Sequence, residues 1–184
     1  MKITTIAHLE GYYYKPRIDL KTLSKYATGL ICLSACPKGE IGQSLIDGEF
    51  AKAKKQVAWY QETFGEDNYF LEIQRHQYRD YFDNFKDNNA ILERLKTVQD
   101  QEDKWVAGII KLSEDLGVPI VATNDSHYLR QTDAFAQDAL VCVSTGKNVN
   151  DTDRMRYVDA PTFHLRSEKE MTDIFSDVPQ ALKN

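Results

Sequence analysis

Three short apolar runs constrain this chain more than anything else in it. They are Leu30-Ile31-Cys32-Leu33-Ser34, Tyr69-Phe70-Leu71-Glu72-Ile73 and Pro119-Ile120-Val121-Ala122-Thr123. Each has strand length, and helical sequence fills the spaces between them. Phe50, Ala53, Val57, Tyr60 and Phe64 recur on one helical face that Gly65 closes. Ile41–Ile46 forms a smaller helix that stops at Asp47-Gly48. Strands that alternate with helices predict an α/β fold with parallel strands. Three strands are too few for a closed β/α barrel.

The remaining segments fit this frame. Asp19 caps a short helix that ends before Gly29, and Asp80 to Gly117 is long, polar and helical in pattern. Within it Ile91, Leu95 and Val98 share one face, and Trp105, Ile109, Leu112 and Leu116 share another. Gln99 to Lys104 between them has no apolar residue, which allows one bent helix or two. Thr132 caps a helix to Thr145, and 161–165 is extended. Ser167-x-x-Glu170 is a capping box before a last helix, and Pro179 starts a final turn.

In α/β folds, sites collect beyond the carboxyl ends of parallel strands. Here those ends deliver Cys36, His76 and the pair Asp125-x-His127 to one rim. Thiolate, imidazole and carboxylate are ligands of zinc and related metals. In extended backbone, residues two apart face the same side, so Asp125 and His127 can reach one ion. The pair reads equally as a turn cap beside a surface histidine. From spacing alone Cys36 reads as a small inert thiol, His76 as solvated between Arg75 and Arg79, and Cys32 and Cys142 as core. His8 and His164 carry no local pattern, and Gly146-Lys147 lacks the other residues of a phosphate-binding loop. The acidic residues between Asp80 and Asp103 read as a solvated helix face. Tyr12-Tyr13-Tyr14-Lys15-Pro16-Arg17 mixes stacking and basic groups suited to nucleic acid, but reads first as a loop packed on the core or a partner domain.

Composition excludes several classes. Hydrophobic residues make up 42% of the 184, enough for a core, and no run reaches the ~20 apolar residues of a membrane span. The first ten residues lack a signal-peptide core, so the chain reads as cytoplasmic. A net charge of −5 argues against strong nucleic-acid binding by the chain as a whole. Three cysteines do not make a disulfide framework.

Several stretches together carry a resemblance: Ala7-His8-Leu9-Glu10-Gly11-Tyr12-Tyr13-Tyr14-Lys15-Pro16-Arg17-Ile18-Asp19; residues 29–36 with Gly39-Glu40-Ile41; Asn68 to Gln74 with His76; Val118 to Leu129, continuing into Thr145-Gly146-Lys147; and Phe163 to Ser167 with Glu170-Met171. In order and spacing they resemble the C-terminal portion of the PHP (polymerase and histidinol phosphatase) domain of bacterial replicative DNA polymerase III alpha subunits. The resemblance covers nearly the whole chain, residues 1–184. It implies a partial, distorted β/α barrel with a metal site at the strand ends. Cys36, Asp125 and His127 match ligand positions of that site, and the implied ion is zinc or manganese. The family's opening His-x-His motif, Asp-His pair, Glu and further His have no match here, so the site is expected to be incomplete and the chain inactive as a 3′–5′ exonuclease. The family connects more briefly across 78–104, which reads as a helical insertion. The implied partners are the rest of the polymerase alpha subunit, other replicase subunits including a proofreading exonuclease, and DNA through the parent protein. The alternative is a structural and interaction scaffold that docks the polymerase core and that exonuclease. A partial barrel also leaves a sheet edge, which predicts self-association or cover by the long helical segment.

Overall fold

The computed structural model describes all 184 residues. Two short helices come first, α1 (Lys2–Leu9) and α2 (Leu20–Lys25). Then β1 (Cys32–Leu33), α3 (Glu40–Ile46), α4 (Phe50–Phe64), β2 (Tyr69–Ile73), α5 (Asn89–Leu116) and β3 (Ile120–Ala122) follow in turn. The chain ends with α6 (Ala134–Thr145) and α7 (Glu168–Ile174), then a 3-10 turn at Pro179–Leu182.

The sheet has three parallel strands in the order β1-β2-β3, and it is open. Cys32 pairs with Tyr69, and Leu71 to Ile73 pair with Ile120 to Ala122. β2 is central, and Tyr69, Leu71 and Ile73 are fully buried on one of its faces. One core joins them to Ile41 and Leu45 of α3, Ala53 and Val57 of α4, and Trp105, Ile109 and Leu112 of α5, with Phe175 from the C-terminal segment. This is the helix cover that parallel strands require. No helix is long and apolar enough to cross a membrane.

β1 shrinks to two residues, because Leu30 and Ile31 lie outside the ladder and are exposed. Leu33 is exposed too, so the β1 edge is uncovered, and Cys32 is half-buried rather than core. The segment from Asp80 resolves into a 3-10 stretch, Tyr78–Phe85, and one 28-residue helix, α5. α5 is continuous because its buried face is continuous: Ile91, Leu95, Gln99, Glu102, Trp105 and Ile109 follow at intervals of three and four. Gln99 and Glu102 are therefore inside, which corrects the reading of this acidic stretch as wholly solvated. Ile91 and Leu95 form a second small core with Ala160, flanked by Tyr78, Tyr81, Phe82 and Phe85. α6 begins at Ala134, not at Thr132, which lies in a preceding 3-10 turn where Asp133 accepts the Arg130 N–H. Ser167 caps α7 as predicted, with Glu170 accepting its backbone N–H at 2.8 Å.

Candidate functional site

The carboxyl ends of all three strands open on one cavity of about 520 Å³. Cys36 comes from the turn after β1, His76 from the exit of β2, and Asp125 and His127 from the loop after β3. Glu102 of α5, Tyr157, and Arg94, Arg154 and Arg156 with Asp159 also line it.

Local packing fixes each wall. The Cys36 turn is set by the close approach of α3: a Cβ on Gly42 would stand 2.7 Å from the Cys36 carbonyl oxygen, so only glycine fits. The β3 loop is clamped onto 162–165. Asn124 donates to the carbonyls of Thr162 and His164, and Ser126 donates to His164. The His127 N–H donates to Phe163 at 2.7 Å, and Tyr128 and His164 form a parallel bridge.

Asp125 and His127 meet, but not by extended alternation. Asp125 has φ 46°, a left-handed conformation that aspartate tolerates. Its Oδ2 lies 3.4 Å from His127 Nε2, and both side chains are partly open to solvent. The His127 ring packs 5.0 Å from Tyr157 and 5.9 Å from Phe163.

His76 is not solvated. It is buried, with its ring stacked on Phe163 at 4.0 Å and its Nδ1 3.3 Å from Thr162 Oγ1. Burial, with Arg166 and His127 near it, pushes its pKa down to about 3. It is therefore a neutral packing residue at physiological pH. Its backbone N–H donates to both oxygens of Glu102, at 2.9 and 3.1 Å. Burial pushes the Glu102 carboxyl up to about 7, against those backbone hydrogen bonds. Gln99 likewise accepts the Arg79 N–H at 3.1 Å. The polar middle of α5 thus holds the exit of β2. The helical spacing of Leu95, Gln99, Glu102 and Val106 carried that signal in the sequence.

The arginines on the far wall are committed to structure. The Arg154 guanidinium is buried against Asp138 at 2.5 Å and donates to three carbonyl groups as well. Arg94 and Arg156 both pair with the buried Asp159. These pairs stitch residues 148–160 over the cavity; nothing in the local sequence marked them.

The donor chemistry bears on a metal as follows. Asp125 and His127 form an oxygen–nitrogen pair open to the cavity, and Cys36 lines the same space. No three His, Cys, Asp or Glu side chains converge on one point that holds an ion. The chain offers a pair of ligands and a nearby thiol, not a complete cage.

Comparison with known proteins follows the same lines. The PHP domain family matches residues 1–76. The DNA polymerase III subunit alpha of Borreliella burgdorferi is 40% identical over 184 residues, covering 100% of this chain and 14% of the relative. That of Treponema pallidum is 36% identical over the same coverage. That of Helicobacter pylori is 36% identical, again with 100% of this chain and 14% of the relative. The chain thus spans about 14% of the length of the curated relatives it matches. It resembles the PHP domain family over residues 1–76, and its whole length matches one stretch of DNA polymerase III alpha subunits.

Proposed function

We propose that this chain is the PHP portion of a replicative DNA polymerase, and that its strand-end cavity contributes Asp125, His127 and Cys36 to a divalent-metal site of zinc or manganese type. The observation that carries this reading is that those three residues line one cavity beyond the ends of β1 and β3, with Asp125 and His127 in contact. A carboxylate, an imidazole and a thiolate suit zinc, and the first two suit manganese. Bound there, such an ion would supply Lewis-acid chemistry toward a phosphoester. The chain's own part is more limited. The clamp of 124–128 onto 162–165 orients Asp125 and His127. Glu102 fixes the β2 exit, and the Phe163 and Tyr157 rings wall off one side.

The parent activity, template-directed DNA synthesis, belongs to residues beyond this stretch, so the chain alone polymerises nothing. It hydrolyses no phosphoester at a substantial rate, since two paired donors and a thiol do not build a multi-metal cluster. Elemental analysis after purification without chelators tests the reading. Zinc or manganese at near one per chain, lost in Asp125→Ala and His127→Ala, supports it. A metal-free parent chain refutes it.

One observation favours a scaffold reading, in which the module docks the polymerase core and a separate exonuclease subunit: the arginines that face the cavity are matched by Asp138 and Asp159 rather than left for a phosphate. Under that reading the parent chain holds no metal and a replicase subunit binds it directly.

A further inference from the structure

The segment before β1 differs from the rest of the chain. Residues 1–28 hold five cations and two acids, a net of +3 in a chain of −5, so the remainder carries −8. None of the five (Lys2, Lys15, Arg17, Lys21 and Lys25) makes an ion pair, whereas twelve of the eighteen elsewhere do. Of its two acids, Asp19 is turned to its own helix, where it accepts the Thr22 N–H at 2.7 Å.

Between α1 and α2 the chain forms a closed knob. The Tyr13 N–H donates to the Lys15 carbonyl and the Arg17 N–H to that of Gly11. The closure is tight enough that a Cβ on Gly11 would lie 1.9 Å from the Arg17 carbonyl oxygen. Tyr12, Tyr13 and Tyr14 stand on it, 62%, 64% and 81% exposed, which excludes the first of the two expected packings, that on the chain's own core. Only Phe135 among the other aromatic side chains is comparably exposed. Tyr14 is held at φ 58°, a conformation that costs a non-glycine residue. The Tyr13 and Tyr14 rings stand edge-on at 4.7 Å, and the Arg17 guanidinium lies 5.5 Å over Tyr13. Of the whole segment only Ala27 enters the main core, with Leu23 packed against it.

A closed, strained loop thus lifts three consecutive rings into solvent among cations that make no ion pair. We propose that this knob is a binding site for single-stranded nucleic acid, with bases stacked on Tyr12–Tyr14 and phosphates met by Lys15, Lys21 and the neighbouring cations. Stacking on aromatic rings is tolerant of sequence, and the phosphate contacts make binding sensitive to salt. A duplex keeps its bases stacked inside and offers the rings nothing.

Fluorescence anisotropy of the whole 184-residue chain with a labelled oligo-dT tests the site at low salt. The expected result is saturable binding that weakens steadily as salt is raised and is stronger than for a duplex of equal length. Tyr13→Ala/Tyr14→Ala loses about tenfold in affinity per ring removed. Lys15→Gln/Lys21→Gln weakens binding and flattens its salt dependence. Circular dichroism shows both variants to be folded. No binding to oligo-dT, equal binding to duplex, or affinity unchanged in the tyrosine variant overturns the proposal. The metal reading fails separately: Asp125→Ala leaves oligo-dT binding intact, and the knob variants leave metal content unchanged.

Discussion

The cavity at the strand ends and the knob before β1 treat charge in opposite ways. In the cavity wall, Arg154 is buried against Asp138, and Arg94 and Arg156 close on Asp159. These charges hold residues 148–160 in place. In the knob and its flanking helices, five cations make no ion pair and three rings are exposed on a strained loop. A buried matched charge specifies the fold, while an exposed unmatched one is available to a ligand. The same residue types therefore mean different things in the two regions, and mutations separate them.

The largest expected effect lies in the cavity wall. Asp138→Ala leaves the buried Arg154 guanidinium without its counter-charge and the Tyr157 N–H without its acceptor. Urea unfolding should show a loss of about 4 kcal/mol. A loss below ~1 kcal/mol would mean the wall is not built on that pair.

Glu102 gives the next effect, through pH. Its folded pKa, about 7, is raised from 4.5, so its contribution to stability is lost as pH rises through that window. His76 is lowered from 6.5 to about 3, so its contribution is lost as pH falls through that range. The two slopes oppose each other between pH 4.5 and 6.5. Glu102→Gln removes one of them. Its stability should rise with pH across that window more steeply than that of the parent. Thermal melts from pH 4.5 to 8 check this; parallel profiles for the two proteins would contradict it.

Gly42→Ala forces a Cβ to 2.7 Å from the Cys36 carbonyl oxygen. Denaturant unfolding should show a cost of about 1.5 kcal/mol. The Cys36 thiol should react faster with a thiol reagent as its turn shifts. The smallest effect belongs to the knob. Tyr14→Gly relieves the positive φ at the cost of chain entropy, and stability should change by less than ~1 kcal/mol. A large loss of stability there would show that the knob serves the fold after all.

The strand β2 was legible to the residue, because Tyr69 to Ile73 is bounded by turn residues and is apolar on its inward face. The cap at Ser167 and the helix from Phe50 to Phe64 were equally plain, since each is written in local sequence. The placement of Cys36, Asp125 and His127 beyond strand ends was readable from order alone. What sequence hid depends on tertiary partners. Gln99 and Glu102 are polar, so the inward face of α5 looked broken where it meets the backbone of β2's exit. His76 looked solvated because its neighbours are arginines, yet Phe163, far along the chain, covers it. Asp125 reaches His127 through a left-handed turn rather than the extended backbone expected of the pair. Tyr12–Tyr14 were expected on the core or a partner domain, and only the packing shows that this chain's own core leaves them uncovered.

The central claim is that the strand-end cavity is this chain's share of a metal site. A 1H–15N titration of the chain with zinc tests it most directly. The account predicts shifts confined to residues 34–38 and 124–128 with their neighbours at 162–165, and absent in His127→Ala. Shifts confined to other histidines, or none at stoichiometric zinc, would contradict it.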